Sequence, residues 1–410
     1  MTSPAAPGVG RLQGVDFARS AAILVAMFSH SLVASGVRDF GSPAQLMPIL
    51  FVIHFAAPTF IALFGAMLEI AYLTRIRTGQ GGAAVNRLMT RALQCYLLYA
   101  LCAIVVFAIG HATIEQTLRR VTLFGYIPFV GILQFYVYML LLAPLLLVAR
   151  NRYGLAPLLI VAALIQLAYP LFRAIPEIPE MTGRYYIHYI ANAVYGASDE
   201  NQIPSILHGL SLVIFGMTVG NIAQGWLSGD RALRRAANRM FAILLAASAA
   251  ATALMWNWRD PGATIADLGL GELRGINHPL YYSSAAVGIL LTVALATYLL
   301  DVRKVGFAKP VLFAGRTSLF TFSFGNILLF MAPPLAQSLG QAWVCAFVLF
   351  GLICFQSWLF DWAKSARADG ARGGGAVVGW FQNLLRTMTG AVSGLVGGLA
   401  QTYSRVLRLA

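Results

Sequence analysis

The chain has 410 residues, 59% of them apolar and 11% charged, with a mean hydropathy of +0.73. A soluble domain carries roughly 25% charged residues, so this composition excludes an ordinary water-covered globule and points to lipid as the main solvent. The net charge of +14 fits Lys and Arg kept in cytoplasmic loops, and no nucleic-acid partner is expected.

In chain order, Ala21–Ser35 has the apolar look of a signal peptide, but Arg19 and His30 mark it as part of a retained first transmembrane helix. Apolar runs of bilayer-crossing length (~20 residues) fall at 16–37, 46–73, 88–110, 126–149, 154–172, 203–225, 239–257, 279–300, 310–332 and 338–362. None shows the alternation of a barrel strand. The fold class is therefore all-α, a polytopic membrane helix bundle of about ten helices. With alternating spans and a cytoplasmic N-terminus, 21 of the 29 Lys and Arg residues lie in inner segments and seven in outer ones. That asymmetry predicts both termini inside; the expected location is a bacterial inner (plasma) membrane. The outer exceptions include Arg38 and Arg274.

Two outer loops, 173–202 and 258–278, carry carboxylates together with Tyr185, Tyr186, Tyr189, Trp256 and Trp258. These aromatics read as interfacial anchors, with sugar stacking as the alternative. The domain division is a transmembrane domain over 1–363, a Gly-rich linker over 364–375 and an amphipathic cytoplasmic-face helix over 376–410. Gly390, Gly394 and Gly398 repeat every four residues in that helix, a spacing that permits close helix contact. Cys95, Cys102, Cys345 and Cys354 form no CxxC pair, and no histidine cluster has zinc-ligand spacing, so neither a disulfide framework nor a metal is expected.

The first span carries the strongest chemical signal. An ionisable residue inside a membrane helix is a functional candidate by default, because burying it is expensive. Arg19 and His30 are separated by 11 positions, a net rotation of about 20° and an axial rise of ~16.5 Å. Both side chains thus share one face, with Arg19 near the cytoplasmic end and His30 beyond the midplane. The pattern suits a substrate whose anionic part sits at Arg19 and whose reactive end reaches His30. The bland alternative is a snorkelling arginine plus a hydrogen-bonded core histidine.

Asp16-x-x-Arg19, ten intervening residues and His30 resemble the first helix of the transmembrane acyltransferase superfamily (acyltransferase 3). The second span, with His54-Phe55-Ala56-Ala57-Pro58-Thr59-Phe60 and Phe64-Gly65, is similar to that family's aromatic and Pro-x-Phe segment, with Phe64 where Ser is usual. Leu133-Gln134-Phe135-Tyr136-Val137-Tyr138 and Gly315-Arg316-Thr317-Ser318 resemble the branch that succinylates periplasmic glucans. Some relatives carry a histidine late in the ninth span, where this chain has Gly325-Asn326. The resemblance implies about ten spans. It also implies transfer of an acyl group, acetyl or succinyl in type, from cytoplasmic acyl-CoA to a hydroxyl of an extracytoplasmic glycan or similar acceptor.

On this reading acyl-CoA is the donor substrate and no metal takes part. His30 and His54 are the candidate catalytic residues, and Arg19 and Arg316 the candidate donor-binding ones. His54 either shares a proton with His30 and orients the acceptor hydroxyl, or caps a buried carbonyl. Arg316 either grips coenzyme A phosphates bidentately or snorkels. Glu69 reads as half of a structural ion pair. Ser29 and Ser31 project about 100° to either side of His30, which argues against a Ser–His couple on this helix. The rival from another class is a transporter or glycolipid flippase, with Arg19 on an anionic head group and His30 relaying protons.

Overall fold

The structure, a computed structural model of the chain, describes residues 12–175, 185–196, 204–256, 260–365 and 374–409. Arg11, most of the 364–375 linker, the carboxylates Glu177, Glu180, Asp199 and Glu200, and Trp258 lie outside them. Among the described residues there is helix and no strand. Eight helices are long and apolar enough to cross a membrane, and the chain is an integral membrane protein of all-α, polytopic architecture.

The first span is α1 (Gln13–Ala34). The second is split into α2 (Pro43–Ile53) and α3 (Ala56–Met67), which continues through a π-helical turn, Leu68–Leu73. The split has a local cause. Pro58 cannot donate to the carbonyl four residues back, that of His54, and its ring crowds it. The third and fourth spans are α4 (Gly81–Ala108) and α5 (Gly131–Tyr153). A short apolar helix, α6 (Ala156–Leu167), occupies the fifth position. Then come α7 (Ile206–Trp226), α8 (Arg231–Trp256), the rim helix α9 (Pro261–Leu270) and α10 (Pro279–Thr297). The second short apolar helix, α11 (Ser318–Met331), stops where Ala332 turns extended ahead of Pro333, as a residue before proline must. The tenth is α12 (Leu339–Ser365), and α13 (Gly374–Val406) follows. The eight long helices and two short ones correspond one to one with the ten apolar runs.

Packing makes α1 the hub, in contact with α3, α10, α11 and α12. Small residues set the closest approaches. A Cβ on Gly216 of α7 would collide with the Ala62 carbonyl of α3, and one on Gly65 with the Val213 carbonyl. This is close backbone approach through small residues, the usual basis of helix pairing in lipid. By contrast α8 buries only Ala237 among its described residues and packs along α10.

The two ends of the bundle are built from different loops. At one end, Asp301, carried by a π turn after α10, accepts from Gln13 N and Gly14 N at 2.8 Å each and so caps α1. Arg316 pairs with Asp361, and Gly81 lies against Leu409. At the other end, the loops after α1, before α5 and around α9 meet. These are the two sets of segments that the basic residues separate into inner and outer.

The C-terminal helix α13 lies against α4 and α12. Its hydrogen bonds to the bundle include Asn86 to Ser393 at 3.5 Å, Gln382 to the Ala363 carbonyl at 3.0 Å and Tyr403 to the Leu141 carbonyl at 3.0 Å. Gly390, Gly394 and Gly398 face open space, so the bundle contact is made by the other side of the helix, where Val396 and Ala400 are buried.

Candidate functional site

His30 lies one turn before the end of α1, and Asn326 of α11 holds it. Its Nδ1 is 2.8 Å from Asn326 Oδ1, while Asn326 Nδ2 donates to the Phe322 carbonyl at 2.7 Å. The second bond fixes the amide, because a carbonyl can only accept. Oδ1 therefore faces the imidazole, Nδ1 carries the hydrogen, and Nε2 of the neutral ring keeps its lone pair. A Cβ on the neighbouring Gly325 would lie 2.7 Å from Met27 Cε and 3.1 Å from Ile353 Cγ2, so α11 packs close to both α1 and α12 there.

His54 sits in the break between α2 and α3 and is 8% exposed. Its Nδ1 donates to the Phe51 carbonyl at 2.5 Å. The same logic leaves Nε2 as a bare acceptor, and that atom is buried with no hydrogen-bond partner. Both histidines line one cavity of about 530 Å³. Each is anchored by one nitrogen and has the basic one left over.

Aromatic side chains wall the cavity. Phe129 lies 4.9 Å from the His30 ring and Phe322 5.6 Å, centroid to centroid. Phe129 holds a left-handed backbone (φ 67°), as does Leu123 (φ 64°), a conformation that costs about 1–3 kcal/mol outside glycine. The loop is pinned from outside the cavity. Gln134 Nε2 and the Tyr138 hydroxyl donate to the Leu123 carbonyl at 2.8 and 3.1 Å, and Tyr99 to the Gly125 carbonyl at 2.6 Å. This gives the Gln134–Tyr138 motif a physical role: it fastens the loop that brings Tyr126 and Phe129 to the site.

Arg38, just past α1, and Arg274, in the short helix Glu272–Gly275, complete the lining. Sequence reasoning left both without a role, and Asn326 too. The available signal was that Arg38 and Arg274 are outer arginines running against the positive-inside trend. Asn326 is a buried amide in an otherwise apolar helix.

Arg19 and Arg316 are elsewhere. Arg19 bonds Asp16 one turn back at 2.9 Å, and Arg316 grips Asp361 of α12 with Nε at 3.2 Å and Nη2 at 2.5 Å. Neither lines the cavity with the two histidines. Arg316 therefore already spends its fork on a carboxylate. Glu69, in the π turn after α3, is bound bidentately by Arg150 at 2.9 and 2.6 Å and by Asn221 at 3.2 Å, which makes it the structural ion pair its position suggested. Ser29 also lines the cavity, while Ser31 bonds back to the Met27 carbonyl. His208 pairs with Ser205 at 2.8 Å and is buried away from this site. Among the described residues no three His, Cys, Asp or Glu side chains gather as a metal site would require.

No protein-family model and no curated protein matches the chain.

Proposed function

We propose that the chain is a membrane-bound O-acyltransferase that moves a short acyl group from cytoplasmic acyl-CoA to a hydroxyl of an extracytoplasmic glycan or similar acceptor. The observation that carries this reading is the pair of oriented histidines. His30 and His54 each hold Nδ1–H on a fixed acceptor and line one cavity, with Nε2 left as the basic nitrogen of each ring. An imidazole so oriented is a general base ready to use.

In the proposed step His30 Nε2 takes the proton of the acceptor hydroxyl. The oxygen attacks the thioester carbonyl, the C–S bond breaks, and the imidazolium returns the proton to the coenzyme A thiolate. Atoms and charge balance without a metal or an oxidant. His54 is the second base of the site, placed to hold or relay that proton. The donor's polyanionic part would remain at the cytoplasmic mouth near Arg19, with the pantetheine arm of coenzyme A carrying the thioester across the ~16.5 Å to His30.

The test is thiol release from acetyl-CoA and succinyl-CoA by detergent-purified protein, with and without saccharide acceptors, followed by mass spectrometry of the acceptor. Acceptor-dependent release in the wild type, and release lower by about a hundredfold or more in His30→Gln, is the expected result. Wild-type protein that binds saccharide or lipid but never cleaves the thioester would favour a transporter.

A further inference from the structure

Arg38 and Arg274 make no ion pair with any carboxylate among the described residues. Glu272 also lines the cavity but pairs with neither. Arg274 lies over Gly271, whose left-handed backbone (φ 88°) turns the chain there, with Nη2 3.4 Å from where a Cβ would stand. Its Nε is buried and has no partner. The surrounding protein, and then the charge of Arg274, lower the Arg38 guanidinium below its ordinary value. Deeper in the same cavity the His54 Nε2 is likewise unpartnered, on a side chain that is 8% exposed.

Two guanidiniums close enough to repel line one cavity with aromatic walls, an arrangement that a bound anion would relieve. A guanidinium fork matches an oxyanion in both shape and charge. Its worth rises where aromatic walls keep water out.

We infer that the outer cavity is an oxyanion-binding site in which Arg38 and Arg274 hold a carboxylate or phosphate of a bound reactant beside His30 and His54. This deepens the acyl-transfer reading and rests on it for the identity of the reactant. The arginines stand on the outer rim, the side from which the acceptor enters, so a negatively charged acceptor is the source to test first. A carboxylate at the far end of the transferred acyl group would satisfy the same chemistry.

The experiment compares wild type, Arg38→Gln, Arg274→Gln, Arg274→Lys and the double Gln variant, each purified in detergent and checked for a monodisperse profile. Thermal stability is followed against inorganic phosphate and succinate, with chloride at matched ionic strength as control. The wild type should show a saturable rise in melting temperature with the oxyanions and none with chloride. Each Gln variant should need about tenfold more probe or greater, the size expected for one charge-assisted contact. Lys, which keeps charge without the fork, should fall between. In turnover, the Gln variants should raise KM for a uronate acceptor and spare a neutral methyl glycoside if the acceptor brings the anion. If the acyl group brings it, they should instead lose succinyl-CoA turnover and spare acetyl-CoA. Either pattern supports the site. Oxyanion response equal to wild type in the folded double variant, together with unchanged turnover, would overturn it while leaving the enzyme reading intact. Arginine-dependent oxyanion binding without any thioester cleavage would overturn the enzyme reading and leave the site.

Discussion

At the scale of single residues, the chemistry turns on which nitrogen of each histidine is spoken for. Asn326 keeps Nδ1 of His30 as the donor only because its own amide is fixed by the Phe322 carbonyl. It is therefore a positioning residue, and the prediction for it differs from that for His30. His30→Gln retains a polar side chain without basicity and should reduce acyl transfer by about 10²–10⁴, the usual range for a lost general base. Asn326→Ala leaves the base present but free to rotate or change tautomer. It should lower kcat by roughly ten- to a hundredfold with little change in KM. Steady-state thiol release decides between them, and an Asn326→Ala enzyme with unchanged kcat would show the amide to be mere packing. His30 was legible in the sequence because eleven positions return a helix to the same face. Asn326 was not, since nothing local reveals which buried amide faces which ring until α11 has packed against α1.

At the scale of elements, polar pairs and small residues fix how helices meet. Glu69, in its π turn, and Arg150 of α5 are both nearly excluded from solvent, with side chains 1% and 9% exposed. Removing one partner of a buried pair strands a charge, at a cost of about 3–5 kcal/mol, whereas neutralising both costs much less. Arg150→Gln and Glu69→Gln should thus each lower the melting temperature of the detergent-purified protein more than the double Gln variant does. Additive losses in the double variant would mean that the two groups act independently. The α3–α7 seam makes a second demand. Gly216→Leu must force the helices apart at the Ala62 carbonyl and should sharply reduce folded yield, while Gly379→Leu, which meets nothing within 4 Å, should not. The sequence supplied the Glu69 pair as a requirement, because an unpaired carboxylate there is expensive. It could not supply the partner, since Arg150 comes from a helix 81 positions away.

At the scale of the whole molecule, the ten apolar runs were legible because hydropathy reports the solvent of each segment directly, without knowledge of its neighbours, and among the described residues eight of them are helices long enough to cross a membrane. The short fifth and ninth helices were found the same way, although only their flanking Pro residues and Thr317 explain why they are brief. The site was only half legible. The spacing along α1 joins Arg19 to His30, but the cavity is assembled laterally, from loops distant in sequence that meet at the outer end. That assembly has a topological consequence. Arg38, Tyr126 and Arg274 share one cavity, while Asp301, Arg316 and Asp361 are knit together with the start of α1 at the opposite end. Which end faces the cytoplasm follows from the Lys and Arg asymmetry. In a variant with Cys95, Cys102, Cys345 and Cys354 replaced by Ser, single cysteines at Glu272 and Gly229 should therefore label differently in intact cells. A membrane-impermeant maleimide should reach Glu272→Cys without lysis and reach Gly229→Cys only after it. The reverse pattern would invert the protein and place the oriented histidines on the cytoplasmic side. Labelling of both before lysis would break the ten-span alternation on which the outer location of the cavity depends.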